Sequence, residues 1–335
     1  MNIEDDYTLT RSSSGVNGPE IEDERDLRQL VRICWLYYME GLTQKEIGER
    51  LNLSRIKVNR LLQHARSTGV VQITIQGPDT QFVAQEQALC AKYGLRDAVV
   101  VMDTENGAAQ YRRLAEGASD WLMARLAPGM SVGLSLGRTI SCLPEVFKPA
   151  NTVDCSFTEI IAGASDHTGT FRSYNVTSRM AELVGGQASY WYAPTVVSSR
   201  ELYHMLLKEA PVAEALERAR HCDIALQSVG ALDRDALLYK AGYLNDADLE
   251  AIKEAGVVGD VLGHFVDCDG EPVPNHLDER ILSLSLEDMR QIPLNVCVAG
   301  GPAKFEVIRA VMRAGLFNVL ITDAATAHAL LADTD

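Results

Sequence analysis

No run of about 18 uninterrupted apolar residues occurs in the 335-residue chain, so no stretch reads as a membrane-spanning helix. The opening MNIEDDYTLT is acidic and polar, which does not fit a secretory signal. The seven cysteines are scattered, with no C-x-x-C pair and no metal-ligand spacing. Cys34, Cys90, Cys142, Cys155, Cys222 and Cys297 sit mostly among apolar neighbours and read as reduced core residues. Together these absences predict a cytoplasmic protein with no metal site and no cofactor. His167, His204, His264 and His276 stand apart, so no Ser/His/Asp or Cys/His set declares a catalytic centre. Neither a Walker loop nor a dinucleotide fingerprint is present, and no internal repeat is visible. Positive charge is also short: 31 Lys and Arg face 46 Asp and Glu, for a net charge of −15. Such a chain cannot attract nucleic acid through its overall field and needs a local basic face to do so.

One stretch supplies that face. TQKEIGERLNLSRIKVNRLL, residues 43–62, reads as two short helices and a tight turn. Thr43 and Glu46 have the spacing of a capping box. Ile47 and Leu51 line one side of the first helix, and Gly48 falls where two helices must approach closely. Asn52 suits the left-handed backbone of a turn, and Ser54 can cap the second helix. Val58, Leu61, Leu62 and Ala65 then recur at helical spacing, leaving Ser54, Arg55, Ile56, Lys57, Asn59 and Arg60 as the candidate DNA-contacting set. The pattern is a helix-turn-helix whose second helix enters a major groove. Ile56 lies about 200° round from Val58, where it can either touch a thymine methyl or pack on the preceding turn.

The flanks extend the unit. An amphipathic helix is predicted over 25–39, with Leu27, Leu30, Val31, Cys34 and Trp35 on one face. Residues 70–75, VVQITI, alternate as a strand that would form a wing. Residues 25–66 hold nine Lys or Arg against four acids, whereas the 24 residues before them hold one Arg against seven acids. Residues 1–24 therefore read as a disordered acidic arm, 25–78 as a winged helix-turn-helix domain, and 79–335 as a second domain. Gly77-Pro78-Asp79 marks the boundary. A helix over 81–93 is a candidate linker that helps subunits pair.

From Ala98 onward, short apolar strands alternate with helices. Strands are predicted over 98–102, 130–136, 157–162, 223–229, 261–266, 294–299 and 319–322. Helices fall between them at 108–126, 139–147, 175–184, 246–254 and 303–314, with a last one over 324–331. This rhythm indicates an α/β, Rossmann-like, mostly parallel sheet covered on both faces, in which ligands bind at the carboxyl ends of strands. Four clusters fall at or near strand ends. Ser135, Gly137, Arg138 and Thr139 follow one strand and can offer backbone and side-chain donors to an anion. Asp260 can accept hydroxyl hydrogen bonds from a polyol. Gly300-Gly301-Pro302-Ala303-Lys304 brings a close backbone approach and a cation together; a Lys at a helix start opposes the macrodipole, which favours an anionic ligand there. Asp323 reads as a cap for the final helix. Among the histidines, only His264 lies close enough in sequence to Asp260 to join a pocket.

The stretches LVRICWLYYMEGLTQKEIGERLNLSRIKVNRLL, GVVGDVLGHFVDCDG and VAGGPAKFEVIRAVMRAGLFNVLITDAATAHALL resemble the SorC family of bacterial sugar-responsive transcriptional regulators. The resemblance runs from about Leu30 to the C-terminus. It implies an effector domain related to sugar-phosphate isomerase and deaminase folds, and a homo-oligomer, dimer or tetramer, on operator DNA. It also places the turn 135–139 at an effector phosphate and sets Asp260 and Lys304 in the pocket wall. The sequence departs from the family at Ser135-Leu136, where more glycine is usual, and at Ser228-Val229-Gly230, where Gly-Ile-Gly is usual. The expectation is a DNA-binding regulator, not an enzyme, whose effector is a small sugar, polyol or sugar-phosphate. The alternative is a sugar-phosphate isomerase or deaminase with an accessory DNA-binding domain and Asp260 or His264 as base.

Overall fold

The structure, a computed structural model, describes residues 24–73, 80–104, 107–163 and 173–334. The acidic arm up to residue 23, the Gly77-Pro78-Asp79 turn and His167 lie outside the described residues. The chain separates into two compact units, Met1–Gly77 and Pro78–Asp335.

Among its described residues the first unit contains three helices: α1 (Glu24–Tyr38), α2 (Gln44–Leu51) and α3 (Arg55–Ser67). The capping box at Thr43 is made in both directions: the Glu46 N–H donates to the Thr43 hydroxyl and the Thr43 N–H to the Glu46 carboxylate. That carboxylate is held below its ordinary range, chiefly by this backbone hydrogen bond. Asn52 has φ 53°, the left-handed turn its side chain tolerates. Leu30, Ile33, Leu36, Ile47, Val58, Leu62 and Ala65 close a small core. The predicted inner face of α1 is only partly right. Leu30 and Cys34 are buried, but Leu27, Val31 and Trp35 are exposed, together with Met39. The apolar band of α1 is wider than two short helices can cover, and the core settles on the side centred on Ile33. No strand forms over residues 70–73. Instead Gly69 turns at φ +76° and the Val71 N–H donates back to the Ala65 carbonyl at 2.9 Å, a helix-closing bond. Thr74 and Ile75, the rest of the expected wing, lie outside the described residues.

The second unit opens with α4 (Thr80–Tyr93), strand β1 (Asp97–Val101) and α5 (Gly107–Met123). Strands β2 (Ser131–Leu134), β3 (Ser156–Glu159), β4 (Gln187–Ser189) and β5 (Ile224–Gln227) follow. Then come three short strands, β6 (Val229–Gly230), β7 (Gly259–Val261) and β8 (His264–Val266), and finally β9 (Leu294–Val298) and β10 (Val319–Asp323). Seven of them form one parallel sheet in the order β1-β10-β9-β5-β2-β3-β4. Both faces are covered. Phe82 and Leu89 of α4 share a core with Ala98 and Val100, while Leu114, Ala118 and Leu122 of α5 share another with Val132 and Ile321. Helix α4 therefore spends its apolar side on the sheet of its own unit. Near-continuous apolar strands are what a doubly covered parallel sheet needs.

Three expectations are corrected here. The strand predicted over 223–229 ends at Gln227, and the chain leaves the parallel sheet at Ser228 to pair antiparallel through β6. The strand predicted over 261–266 is a hairpin, β7–β8, turning at Leu262 and Gly263 with φ +52° and +86°. The helix predicted over 139–147 is two short helices, α6 (Arg138–Ser141) and α7 (Leu143–Val146).

Candidate functional site

On the first unit, α3 presents Arg55, Ile56, Lys57 and Arg60 to solvent, while Val58, Leu62 and Ala65 face the core. Ile56 is 76% exposed, so it packs on no preceding turn. Among the described residues, Arg55, Lys57 and Arg60 form no ion pair, which leaves three cations on one turn and a half of helix. The other two candidates are already engaged. The Ser54 hydroxyl accepts the Lys57 N–H at 3.2 Å as an N-cap. The half-buried Asn59 accepts a hydrogen bond at its Oδ1 from Nε2 of Gln44, the first residue of α2, at 3.3 Å. Gln44 was not singled out by sequence, since nothing in its local pattern marks a contact fifteen residues away.

On the second unit, the parallel sheet reverses its winding between β2 and β5. From β2 the chain passes to β3 on one side, and from β5 it passes, through the antiparallel strands, to β9 on the other. A crevice at the carboxyl ends of strands forms at such a point. The segments that leave β2, β5 and β9 there are Ser135–Thr139, Ser228–Gly230 and Gly300–Lys304. Glycine makes their approach possible. Gly137 adopts φ 149°, a backbone that favours glycine, and a Cβ on it would make only ordinary contact with Ser228, at 3.5 Å. A Cβ on Gly230 would lie 1.9 Å from an Asp260 carboxylate oxygen, so the antiparallel β6–β7 pair delivers Asp260 directly against the β5 segment. Gly301 turns at φ 92° with its N–H on the Thr326 hydroxyl at 2.9 Å.

Lys304 closes the 3-10 turn Pro302–Lys304 and reaches across to donate to the Ser228 hydroxyl at 3.0 Å. Burial lowers its pKa to about 8; the nearby Arg138 charge adds to that, while Cys297, Asp260 and Asp233 oppose it. Burial pushes the Asp260 carboxyl above the ordinary range, against the Gly263 N–H it accepts at 3.0 Å and the Lys304 charge. A cation and a carboxylate thus share a shielded crevice, where charged hydrogen bonds are strong. Arg138 stacks 5.0 Å from the Tyr111 ring centroid and donates to the Asp235 carbonyl at 3.0 Å. Ser135 and Thr139 are buried in the turn.

One candidate is not brought together with the rest. His264 pairs with Val261 across the hairpin, on the face opposite Asp260 and Phe265. Its Nε2 lies 2.9 Å from the Leu284 carbonyl and 3.2 Å from the Ser283 hydroxyl, and burial lowers its pKa. Ser228, Tyr111 and Asp233 join the site instead. Of these only Ser228 carried a signal, as a departure from a glycine pattern. A cleft of about 620 Å³, lined by Asp233, Arg234, Asp235, Asp246, Leu249, Glu250 and Lys253, adjoins this cluster through Asp233 and through Asp235, whose carbonyl accepts from Arg138. Its Arg234 is engaged by both oxygens of Asp246 at 2.9 Å. Asp323 caps the last helix, accepting the Thr326 N–H at 2.8 Å. Among the described residues no group of His, Cys, Asp and Glu could hold a metal ion, and no helix is long and apolar enough to cross a membrane.

Known proteins carry the same two parts. A family described as "Putative sugar-binding domain" matches residues 79–332, and one described as "Sigma-70, region 4" matches residues 28–67. The chain is 32% identical over 307 residues to the transcriptional regulator LsrR of Klebsiella pneumoniae, covering 90% of this chain and 92% of that one. It is 30% identical over 312 residues to the deoxyribonucleoside regulator of Bacillus subtilis, covering 92% and 99%. The fold is similar to the full-length sorbitol operon regulator SorC of Klebsiella pneumoniae, with a TM-score of 0.71 at 24% identity, covering 92% of this chain and all of that one.

Proposed function

This chain belongs to the SorC family of bacterial transcriptional regulators, and from that premise we propose how its two units divide the work. It is a regulator and not an enzyme, as its relatives are. Residues 25–78 hold operator DNA in the cytoplasm, with α3 in the major groove. Residues 79–335 bind a small sugar, polyol or sugar-phosphate in the crevice at the β2, β5 and β9 strand ends. The observation that carries the effector reading is Lys304, a shielded cation on Ser228 with Asp260 beside it. Lys304 and the turn at Gly137 suit an anionic group, and Asp260 suits hydroxyls. Effector binding changes operator affinity only to the extent that it favours one of two arrangements of the assembly. A thermal-shift screen over sugars, polyols and their phosphates tests this; a ligand at one hundred times its dissociation constant adds about 2.7 kcal/mol. A screen that stabilises nothing sinks the effector reading.

For the DNA face, replacing Arg55, Lys57 and Arg60 together by alanine is expected to abolish measurable operator binding at moderate salt without moving the melting temperature. Single replacements should each lower the slope of log affinity against log salt by about 0.9 where the lost contact is a phosphate. Operator affinity that survives the triple variant refutes this face.

We assign the exposed stripe of α1 to a second copy of the chain, in a dimer or a tetramer built from dimers. Leu27, Val31, Trp35 and Met39 recur every four residues and are all exposed. An antiparallel copy would set Leu27 against Met39 and Val31 against Trp35, so the stripe is complementary to itself in length and chemistry. Trp35→Glu should weaken self-association by at least tenfold in sedimentation and lower operator affinity with it. Unchanged association would place the subunit contact elsewhere.

A further inference from the structure

The hydrogen bond between Gln44 and Asn59 bears on which base the recognition helix reads. Asn59 stands on the groove side of α3 one residue beyond the buried Val58, and is half-buried at the seam with α2. A free asparagine amide reads adenine with both ends: its oxygen accepts from N6 and its nitrogen donates to N7. Here the amide is oriented otherwise. Gln44 Nε2 donates to Asn59 Oδ1 at 3.3 Å, which turns the asparagine oxygen toward α2 and takes up one of its two lone pairs. The end left for DNA is the Asn59 Nδ2 amine, which can only donate. Gln44 is itself held. It is the first residue of α2, directly after the Thr43 cap whose box with Glu46 fixes the start of that helix. The orientation of the Asn59 amide is thus set by a neighbouring helix and not by the DNA.

We propose that Gln44 is a positioning residue that turns Asn59 into a donor-only reader, so that each half-site carries at the Asn59 position a base rich in major-groove acceptors. Guanine, with N7 and O6, fits best. Thymine, with O4 alone, and adenine, with N7 beside an N6 donor, come second. Cytosine, which shows only its N4 amine there, is disfavoured. This rests on the operator-binding reading above and adds the class of base.

Three substitutions test it. In Asn59→Asp, one carboxylate oxygen still accepts from Gln44 and the other faces the groove as an acceptor. In Gln44→Glu, the carboxylate can only accept, so Asn59 must turn its amine toward α2 and its oxygen toward DNA. An acid in the first turn of α2 is favourable to that helix, so this variant keeps the fold. Gln44→Ala leaves Asn59 free to take either orientation.

The experiment is selection of bound sites from a randomised duplex pool by the full-length chain, with melting temperatures measured alongside. Wild type should enrich guanine at one position of each half-site. Asn59→Asp and Gln44→Glu should both move that position to cytosine or adenine, the bases with exocyclic amines. Gln44→Ala should flatten the preference by roughly tenfold at that position alone, since Asn59 can then satisfy either kind of edge. A merely structural Gln44 would lower affinity evenly across sequences instead. If every variant enriches the wild-type base, or if Asn59 sets no preference because it faces a phosphate, the proposal is overturned while operator binding stands. If wild type enriches no sequence at all, the operator reading itself has failed.

Discussion

Lys304→Met should cost a phosphorylated effector roughly 10- to 100-fold in affinity, about 1.5–3 kcal/mol, the range for a hydrogen bond to a charged group. The loss follows from geometry. Lys304 Nζ is the cation that reaches the Ser228 hydroxyl at the strand-end crevice, and methionine fills the same volume without charge or donor. Asp260→Asn keeps the shape but replaces an acceptor by a donor, so it should weaken the phosphorylated and the free form of the same effector alike. Both variants should still bind operator, because the DNA face lies in the other unit, yet neither should release it at effector concentrations that suffice for wild type. The pH dependence has a defined sign. Burial lowers the Lys304 pKa to about 8, from the 10.5 of an unperturbed lysine. Above about pH 8 the side chain loses its charge, and affinity for an anionic effector should fall by up to tenfold per pH unit. The unliganded unit should move the other way. Between about pH 8 and pH 10.5 the unfolded chain binds the proton that the folded one has released, so stability rises with pH in that window. Calorimetry on the phosphorylated and free effector at several pH values reads all of this. Normal DNA release by both variants would mean that the pocket is elsewhere.

Gly48→Val should remove DNA binding by unfolding or distorting the first unit. A Cβ at Gly48 would lie 2.6 Å from the Leu53 carbonyl oxygen, a backbone atom that cannot step aside. The Gly48 carbonyl accepts the Leu53 N–H at 2.8 Å as well, so the turn closes on this residue from both sides. Overpacking ordinarily costs about 1–3 kcal/mol, and more where backbone must move. That is a large share of the stability of a unit this small. The second unit should still show its ligand-dependent thermal shift. Wild-type operator affinity in Gly48→Val would mean that the turn tolerates a backbone shift of this size.

Sequence carried the helix-turn-helix almost residue by residue, because each of its signals is local. The Thr43–Glu46 box, Asn52 at the turn and the Ser54 cap are all read within a few positions, and helix Asp246–Glu254 was legible from its own spacing in the same way. What escaped was either unmarked in its local residues or dependent on partners distant in the chain. The β7–β8 hairpin reads as one strand because its turn is Leu262-Gly263, with none of the Asn or Asp that usually announce such turns. Strand β4 and the helices Arg200–Leu206 and Ala210–Arg220 were missed outright. Within the crevice, Arg138, Lys304 and Asp260 were found by residue type at or near strand ends. His264 was included for its nearness in sequence to Asp260, and the two-residue period of the hairpin put it on the other face. Gly48 marks a close helix crossing in the sequence, whereas the atom it must avoid belongs to the turn.

The pairing of β1 with β10 joins residues more than two hundred positions apart, Asp97 with Val319 at one end of the register and Val101 with Asp323 at the other. During synthesis at about 5–20 residues per second, β1 therefore waits on the order of 10–40 s for the strand beside it. The three helices of the first unit draw their core from residues 30–71 and need nothing that comes later. A nascent or prematurely ended chain would thus carry a finished DNA-reading surface and an unclosed sensor. Messages truncated near the 3′ end should accordingly yield a product that occupies operators and ignores the effector.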